Sequence, residues 1–303
     1  MIRVGTAGWS YPDWEGLVYP RGTAASREAL TTLAGIFDVL EINVTFYRPP
    51  TVAMATSWAQ RVSDHPSFQF TAKLWRGFTH DRDSIHAAEE KAFRDGIAPL
   101  QESGRLGALL VQYPHSFRNT QDNRDRLASL LDRFGSFPLA VEVRHASWLA
   151  PEGRDLFLPI LVSRNAGFCS VDQPQFGSSM PAHEMITGRM GYGRLHGRNR
   201  ANWFREDAGR DARYDYLYSV EEVTDLASRI GRMKNSAAGT ADIFIILSNL
   251  AKQTFLKNIK ILLHIAKFLF HLGNPRVHAF FPVNNLVNRT HNLIPFLVNN
   301  RLC

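Results

Sequence analysis

Three strand-like runs carry pairs of polar, chemically capable residues at their C-terminal ends: Glu41 and Asn43 in VLEINV (39–44), Glu142 and Arg144 in LAVEVR (139–144), and Arg194 and His196 in MGYGRLH (190–196). Alternate residues of a strand share a face, so each pair projects to one side, roughly 7 Å apart. Lys73, Gln112 and Asp172 close three further runs, Asn249 follows another, and Arg198 lies two residues beyond His196. Lys73, Arg144, Arg194, His196 and Arg198 together suit a phosphate or carboxylate, because guanidinium pairs such groups bidentately. Glu41, Glu142 and Asp172 can neutralise those cations or, with His196, serve as general acid and base. The set Glu142, Asp172 and His196 also has the ligand chemistry for a divalent cation such as Mg, Mn or Zn. The plain alternative is a buried ion-pair network that satisfies only itself.

Such residues need a scaffold that gathers strand ends. Strand-like runs at 2–8, 39–44, 68–73, 106–112, 139–144, 167–172, 190–196 and 241–248 alternate with helix-like segments. One of these opens at Ser26, one starts near Thr51, and others cover 84–100, 121–134, 153–166 and 220–233. This alternation predicts parallel βαβ units. Eight of them close a TIM-like (β/α)8 barrel, whose chemistry sits at the C-terminal strand ends. The sequence places the barrel in residues 1–272 as a single domain, with an atypical, Asn-rich and basic tail at 273–303. Segment 255–272 repeats Lys257, Lys260, His264, Lys267 and His271 at helical spacing, and its position favours an outer barrel helix over a membrane-surface helix.

A chain that is 45% hydrophobic and 21% charged has the composition of a globular protein, with no apolar run long enough to span a membrane. The opening MIRVGTAGW lacks the apolar core of a secretory signal, and two cysteines cannot build a disulfide framework, so a reducing cytoplasm is expected. The net charge of +7 invites a nucleic-acid reading. Its distribution argues otherwise: residues 235–303 hold seven of the 35 basic side chains and one of the 28 acidic ones, leaving 28 against 27 before them.

Around the strand ends, Tyr47, Arg48, Trp75, Arg76, His115, Phe117, Arg118, His145 and Trp148 interleave aromatic with basic character, as do Arg200, Trp203 and Arg205. Trp9, Trp75 and Trp148 are the aromatic candidates for ligand contact, since aromatics stack on bases and sugar rings while Arg pairs phosphate. Other motifs carry less. GTAG after the first strand lacks the glycine fingerprint of a dinucleotide site, so no dinucleotide is expected. His86, Glu89 and Glu90 fit a solvated helix face, and Cys169 fits strand core better than a nucleophile.

The segments GTAGWSYPDW (5–14), FDVLEINVTFYRPP (37–50), FTAKLWRGFTH (70–80), LGALLVQYPHSF (106–117), VEVRHASW (141–148) and YGRLHGR (192–198) resemble, in order, the motif series of the YecE-like family, also called domain of unknown function 72. The resemblance spans about residues 1–260 and implies a TIM-like barrel with a polar pocket at the strand ends, without implying a reaction. The chain departs from the family at IILSNLAKQ (245–253), where paired asparagines are usual and Asn249 alone is kept.

The resulting expectation is an enzyme acting on a phosphate-bearing substrate, a phosphodiester or a sugar phosphate, by hydrolysis or general acid/base chemistry. Glu41, Glu142, Asp172 and His196 are the catalytic candidates. Lys73, Arg144, Arg194, Arg198, Gln112, Asn43, Asn249 and the three tryptophans are the binding candidates. A nucleic-acid-binding module without chemistry and a metal-dependent sugar isomerase or lyase are the competing readings.

Overall fold

A computed structural model of the chain describes residues 1–16, 18–22, 27–81, 87–205, 212–236 and 242–248. Eight parallel strands close into a barrel in chain order. They are β1 (Ile2–Ala7), β2 (Val39–Ile42), β3 (Gln69–Lys73), β4 (Leu106–Gln112), β5 (Leu139–Glu142), β6 (Gly167–Asp172), β7 (Met190–Leu195) and β8 (Asp242–Leu247). The ring shuts where β1 lies against β8, with Ile2 opposite Ile243 and Thr6 opposite Leu247. β2, β5, β6 and β7 are buried along their whole length. Burial on both faces is why such strands read as nearly unbroken apolar runs.

The described helices are α1 (Arg27–Ala34), α2 (Val52–Arg61), the four-residue α3 (Arg76–Thr79), α4 (Ala87–Glu102), α5 (Gln121–Arg133), α6 (Pro151–Ser163) and α7 (Val220–Ser236). Their starts follow local chemistry. The Thr51 hydroxyl accepts the Met54 N–H at 3.2 Å to cap α2, and Thr120 accepts the Asn123 N–H at 3.3 Å to cap α5. In α7 the buried Val223, Leu226, Ala227, Ile230 and Met233 recur at helical spacing and form its inner stripe. α4 sits so close to the chain before α2 that a Cβ on Gly96 would lie 1.9 Å from the Pro50 carbonyl oxygen.

Three short 3-10 turns follow strands: Pro12–Trp14 after β1, Val44–Phe46 after β2 and Ala146–Trp148 after β5. The ladders stop slightly earlier than the sequence suggests, at Glu142 rather than 144 and at Leu195 rather than 196. Beyond Glu142 the backbone turns to another partner, and the Arg144 carbonyl accepts the Met180 N–H at 2.8 Å. α6 begins at Pro151, two residues before the expected start, because proline's fixed φ and missing N–H suit the first helical turn. Ser26, Asn249, segment 255–272 and the tail 273–303 lie outside the described residues. Among the described residues, no helix is long and apolar enough to cross a membrane.

Candidate active site

Alternation along the strands selects what faces the barrel mouth. On β7 the inward set is Tyr192 and Arg194, continued by His196 just past the ladder; on β3 it is Thr71 and Lys73. Glu41, next to last in β2, faces the same interior, and Glu142 ends β5. Glu41 and Glu142 are wholly buried, and the Arg194 side chain is 3% exposed.

These groups form one network. Arg194 grips Glu41 with two parallel bonds, Nε to Oε2 at 3.1 Å and Nη2 to Oε1 at 2.8 Å. Its Nη1 donates to Glu142 Oε2 at 2.8 Å, while Glu142 Oε1 accepts from Arg144 Nε at 2.7 Å. All four carboxylate oxygens therefore have a guanidinium donor. The Tyr192 hydroxyl adds a bond to Glu41 at 2.9 Å and is hydrogen-bonded to the Thr71 hydroxyl at 2.8 Å. Burial alone would raise the Glu142 carboxyl, but the positive field led by Arg144 and Arg194, with Lys73 behind them, overrides it and holds the group well below the usual range.

Two members of the cluster remain less committed. The Lys73 amine lies 4.0 Å from Glu41 Oε1, and burial and then Arg194 push it down to about 8 against the pull of the carboxylates. His196 Nε2 is 3.3 Å from Arg194 Nη1. A guanidinium can only donate, so Nε2 accepts and the neutral ring carries its proton on Nδ1. Burial and then Arg194 push the imidazole well below its ordinary value, which keeps it neutral. Its Nδ1 is buried and has no hydrogen-bond partner among the described residues, and the same holds for Asn43 Oδ1 and Gln112 Oε1.

All of these face one cavity of about 670 Å³ at the strand ends, walled on one side by Trp9, Phe46 and Tyr47 and bordered by Tyr214 and Ser248. Gly8 forms part of its floor with φ of 91°, a conformation that suits glycine, and a Cβ there would meet the Tyr11 hydroxyl at 3.0 Å. A pocket of this size takes a small molecule. Three cations, Lys73, Arg144 and Arg194, line it, and the two carboxylates paired with them, Glu41 and Glu142, are wholly buried beside it.

The structure thus brings Glu41, Glu142, Lys73, Arg144, Arg194, His196, Asn43, Gln112 and Trp9 together, and it places other candidates elsewhere. Phe168 of β6 stacks outward on His183 and edge-on to Phe157 of α6, so Ser170 and Asp172, on the same parity, also point away from the barrel interior. Asp172 accepts from Arg198 Nη2 at 2.7 Å and from the Tyr218 hydroxyl at 2.7 Å, and Arg198 also donates to Glu222 at 3.1 Å. This second network borders a separate cavity of about 360 Å³. The metal trio of Glu142, Asp172 and His196 is therefore split between two faces of the barrel wall. Among the described residues no three His, Cys, Asp or Glu side chains are grouped to hold a metal ion. Trp148 is turned into the core by its 3-10 turn, fully buried, with its indole N–H donating to the Phe117 carbonyl at 2.7 Å. Trp75 braces the rim instead of lining the cavity, its N–H donating to the Tyr47 carbonyl at 3.3 Å. Asn249 lies outside the described residues. Cys169 is a free thiol buried in β6, pushed up by burial.

Sequence reasoning passed over Tyr192, Thr71, Tyr218 and Glu222. For Tyr192 the signal was present, since it precedes Arg194 and His196 at intervals of two; Thr71 precedes Lys73 in the same way. Tyr218 reaches Asp172, and Glu222 reaches Arg198, from beyond a long excursion, and no spacing rule points to them.

A closed parallel barrel with a charged cavity at the C-terminal strand ends defines a TIM-like (β/α)8 protein. Its family follows from comparison: the family model described as protein of unknown function DUF72 matches residues 3–272, and the chain belongs to that family. It is similar to the UPF0759 protein YunF of Bacillus subtilis, 28% identical over 259 residues, which is 82% of this chain and 89% of that protein. Among solved structures it is similar to a DUF72 family protein of Thermotoga maritima, 30% identical with a TM-score of 0.74, covering 88% of this chain and 99% of that one. A DUF72 family protein of Enterococcus faecalis is 27% identical with a TM-score of 0.76, covering 89% and 95% respectively.

Proposed function

We propose that the protein is a cytoplasmic enzyme that binds a small, hydroxyl-bearing anion, a sugar phosphate or a sugar acid, in the strand-end cavity and acts on it by general acid/base chemistry. The observation that carries this reading is the make-up of the cluster at the cavity: three cations against two buried carboxylates, beside three buried polar atoms that have no partner among the described residues. Buried polar atoms cost free energy unless paired. A ligand with an anionic group toward Lys73 and Arg144, hydroxyls toward Asn43 and Gln112, and an oxygen toward His196 Nδ1 would satisfy all of them. In this reading Arg194 does not touch the ligand. It fixes Glu41 and Glu142, whose charges in turn set the Lys73 amine and the Arg144 guanidinium at the mouth. His196, neutral and protonated on Nδ1, is the group suited to donate a hydrogen bond to a substrate oxygen and to exchange a proton with it.

Titration calorimetry with inorganic phosphate, ribose 5-phosphate and gluconate, followed by a turnover panel with and without Mg, Mn and Zn, tests the proposal. Binding of at least one sugar anion, weakened about tenfold or more in Lys73→Met, supports it. If none of these binds while a single-stranded oligonucleotide does, with affinity falling steeply in salt, the small-molecule reading fails in favour of a nucleic-acid surface.

A further inference from the structure

Lys73 differs from the other two cations of the cavity. Arg194 and Arg144 are each anchored by hydrogen bonds to a buried carboxylate. The Lys73 amine reaches only Glu41 Oε1, at 4.0 Å, and the face of Phe46, 5.4 Å from the ring centroid. Among the described residues it makes no hydrogen bond. Its side chain is 14% exposed and the exposed part opens into the cavity. A lysine held beside other cations and out of water sheds its proton easily and becomes a nucleophile.

We propose that the Lys73 amine forms a reversible imine with the carbonyl carbon of a small anionic aldehyde or ketone seated in the strand-end cavity. The inference rests on the anion-binding reading of that cavity and adds a covalent step to it. The neutral amine adds to the carbonyl carbon, forming the C–N bond. The electron pair of the carbonyl π bond passes to oxygen, which takes up a proton as nitrogen releases one. The carbinolamine then expels its hydroxyl as water with a proton taken up from solvent, the nitrogen lone pair closes the C=N bond to give the protonated imine, and no redox change occurs. His196 Nδ1–H, buried in the same cavity without a partner among the described residues, is positioned to hydrogen-bond the departing oxygen. Opposing charges set the supply of neutral amine. Burial, Arg194 and Arg144 favour loss of the proton, Glu41 and Glu142 oppose it, and the result lies near 8. At pH 7.5 the neutral fraction is on the order of 100-fold larger than for an ordinary lysine.

The test is borohydride trapping on the full-length protein with dihydroxyacetone phosphate or glycolaldehyde phosphate, read by intact mass and peptide mapping. Reduction of the imine adds the mass of the probe less one oxygen. The expected result is labelling at Lys73 at least about tenfold faster than at the exposed Lys91. The rate should rise with pH through about 8, and inorganic phosphate should suppress it. Lys73→Arg, which keeps the charge but has no primary amine, should abolish it; the wild-type peptide map gives the same answer without relying on that variant's folding. Label spread over Lys91 and Lys234, or none at Lys73 while calorimetry shows the probe bound, overturns the imine and leaves anion binding standing. Absence of binding by either probe or by phosphate overturns both.

Discussion

Replacing Glu142 by Gln removes one negative charge from a site where Arg144, Arg194 and Lys73 already outnumber the carboxylates. Wild-type Glu142 accepts from Arg144 and Arg194. A glutamine carbonyl can keep one of those bonds, so one charge-assisted bond is lost and the other is weakened to a bond with a neutral acceptor, together worth roughly 3 kcal/mol. The surplus charge must also be relieved, and the easiest route is loss of the Lys73 proton. From a starting value of about 8 this costs about 1.4 kcal/mol at pH 7, for an expected total near 4 kcal/mol. The pH dependence identifies the mechanism. A lysine whose folded pKa is depressed carries its full penalty below that pKa and is relieved as pH rises toward the unfolded value. In the wild type this relief begins near 8; in Glu142→Gln it should begin about one unit lower or more, because a supporting carboxylate is gone. The deficit should therefore shrink by about 1.4 kcal/mol between pH 7 and 8 and stay constant to pH 9. Glu142 itself does not contribute to this change, since its depressed pKa keeps its stabilisation fully present above pH 4.5. Urea unfolding followed by tryptophan fluorescence and far-UV circular dichroism at pH 6, 7, 8 and 9 measures it. A deficit under about 1 kcal/mol at pH 7, or one that does not change between pH 7 and 9, would refute the coupling of Lys73 to Glu142.

Three further outcomes follow from the geometry. Lys73→Met should raise stability at pH 7 by about 1–3 kcal/mol, with the advantage fading as pH rises from 8 to 10.5, since the buried ammonium is a net cost; a less stable variant would show that the amine holds Glu41 in place. His183, stacked on Phe168 with ring centroids 3.8 Å apart, is pushed down to about 4 by burial. Its contribution is present above pH 6.5 and falls by about 3 kcal/mol toward pH 4, so His183→Phe should flatten the acid limb of the stability curve relative to wild type, and parallel limbs would contradict that assignment. Trp148→Phe should cost about 1.5–3 kcal/mol through the lost bond to the Phe117 carbonyl and the vacated volume, while phosphate affinity stays within twofold; a matching loss of affinity would return Trp148 to the ligand site.

The barrel itself was legible in the chain because buried parallel strands and amphipathic helices differ in period, and their alternation leaves few other architectures. The ends of β2, β3, β5 and β7 were legible for the same reason, each placing a charged residue after an apolar run. What the spacing could not supply was partnership. Arg194 read as an anion binder, yet it closes on Glu41 and Glu142 from across the barrel, a meeting that exists only once the sheet has curled shut. Parity was a second blind spot. Asp172 ends β6 just as Glu142 ends β5, and only the outward stacking of Phe168 shows that Asp172 belongs to the other face. Trp148 was misplaced by composition alone, since a tryptophan in a loop can turn outward or, through a 3-10 turn, inward.

The pairing of β1 with β8 also governs how the chain is made. Residues opposite one another at that seam, such as Ile2 and Ile243, are about 240 positions apart. At a synthesis rate of roughly 5–20 residues per second, β1 leaves the ribosome roughly 10–50 s before its closing neighbour. During that interval the nascent sheet can grow outward from β1 toward β7 but keeps a free edge on its first strand, the feature most prone to pair with a stranger. Arg194 and His196, near the end of β7, arrive late as well, so Glu41 waits for about half of the chain's synthesis without its buried guanidinium partner. The charge network that shapes the cavity is thus completed in the same late step that seals the barrel.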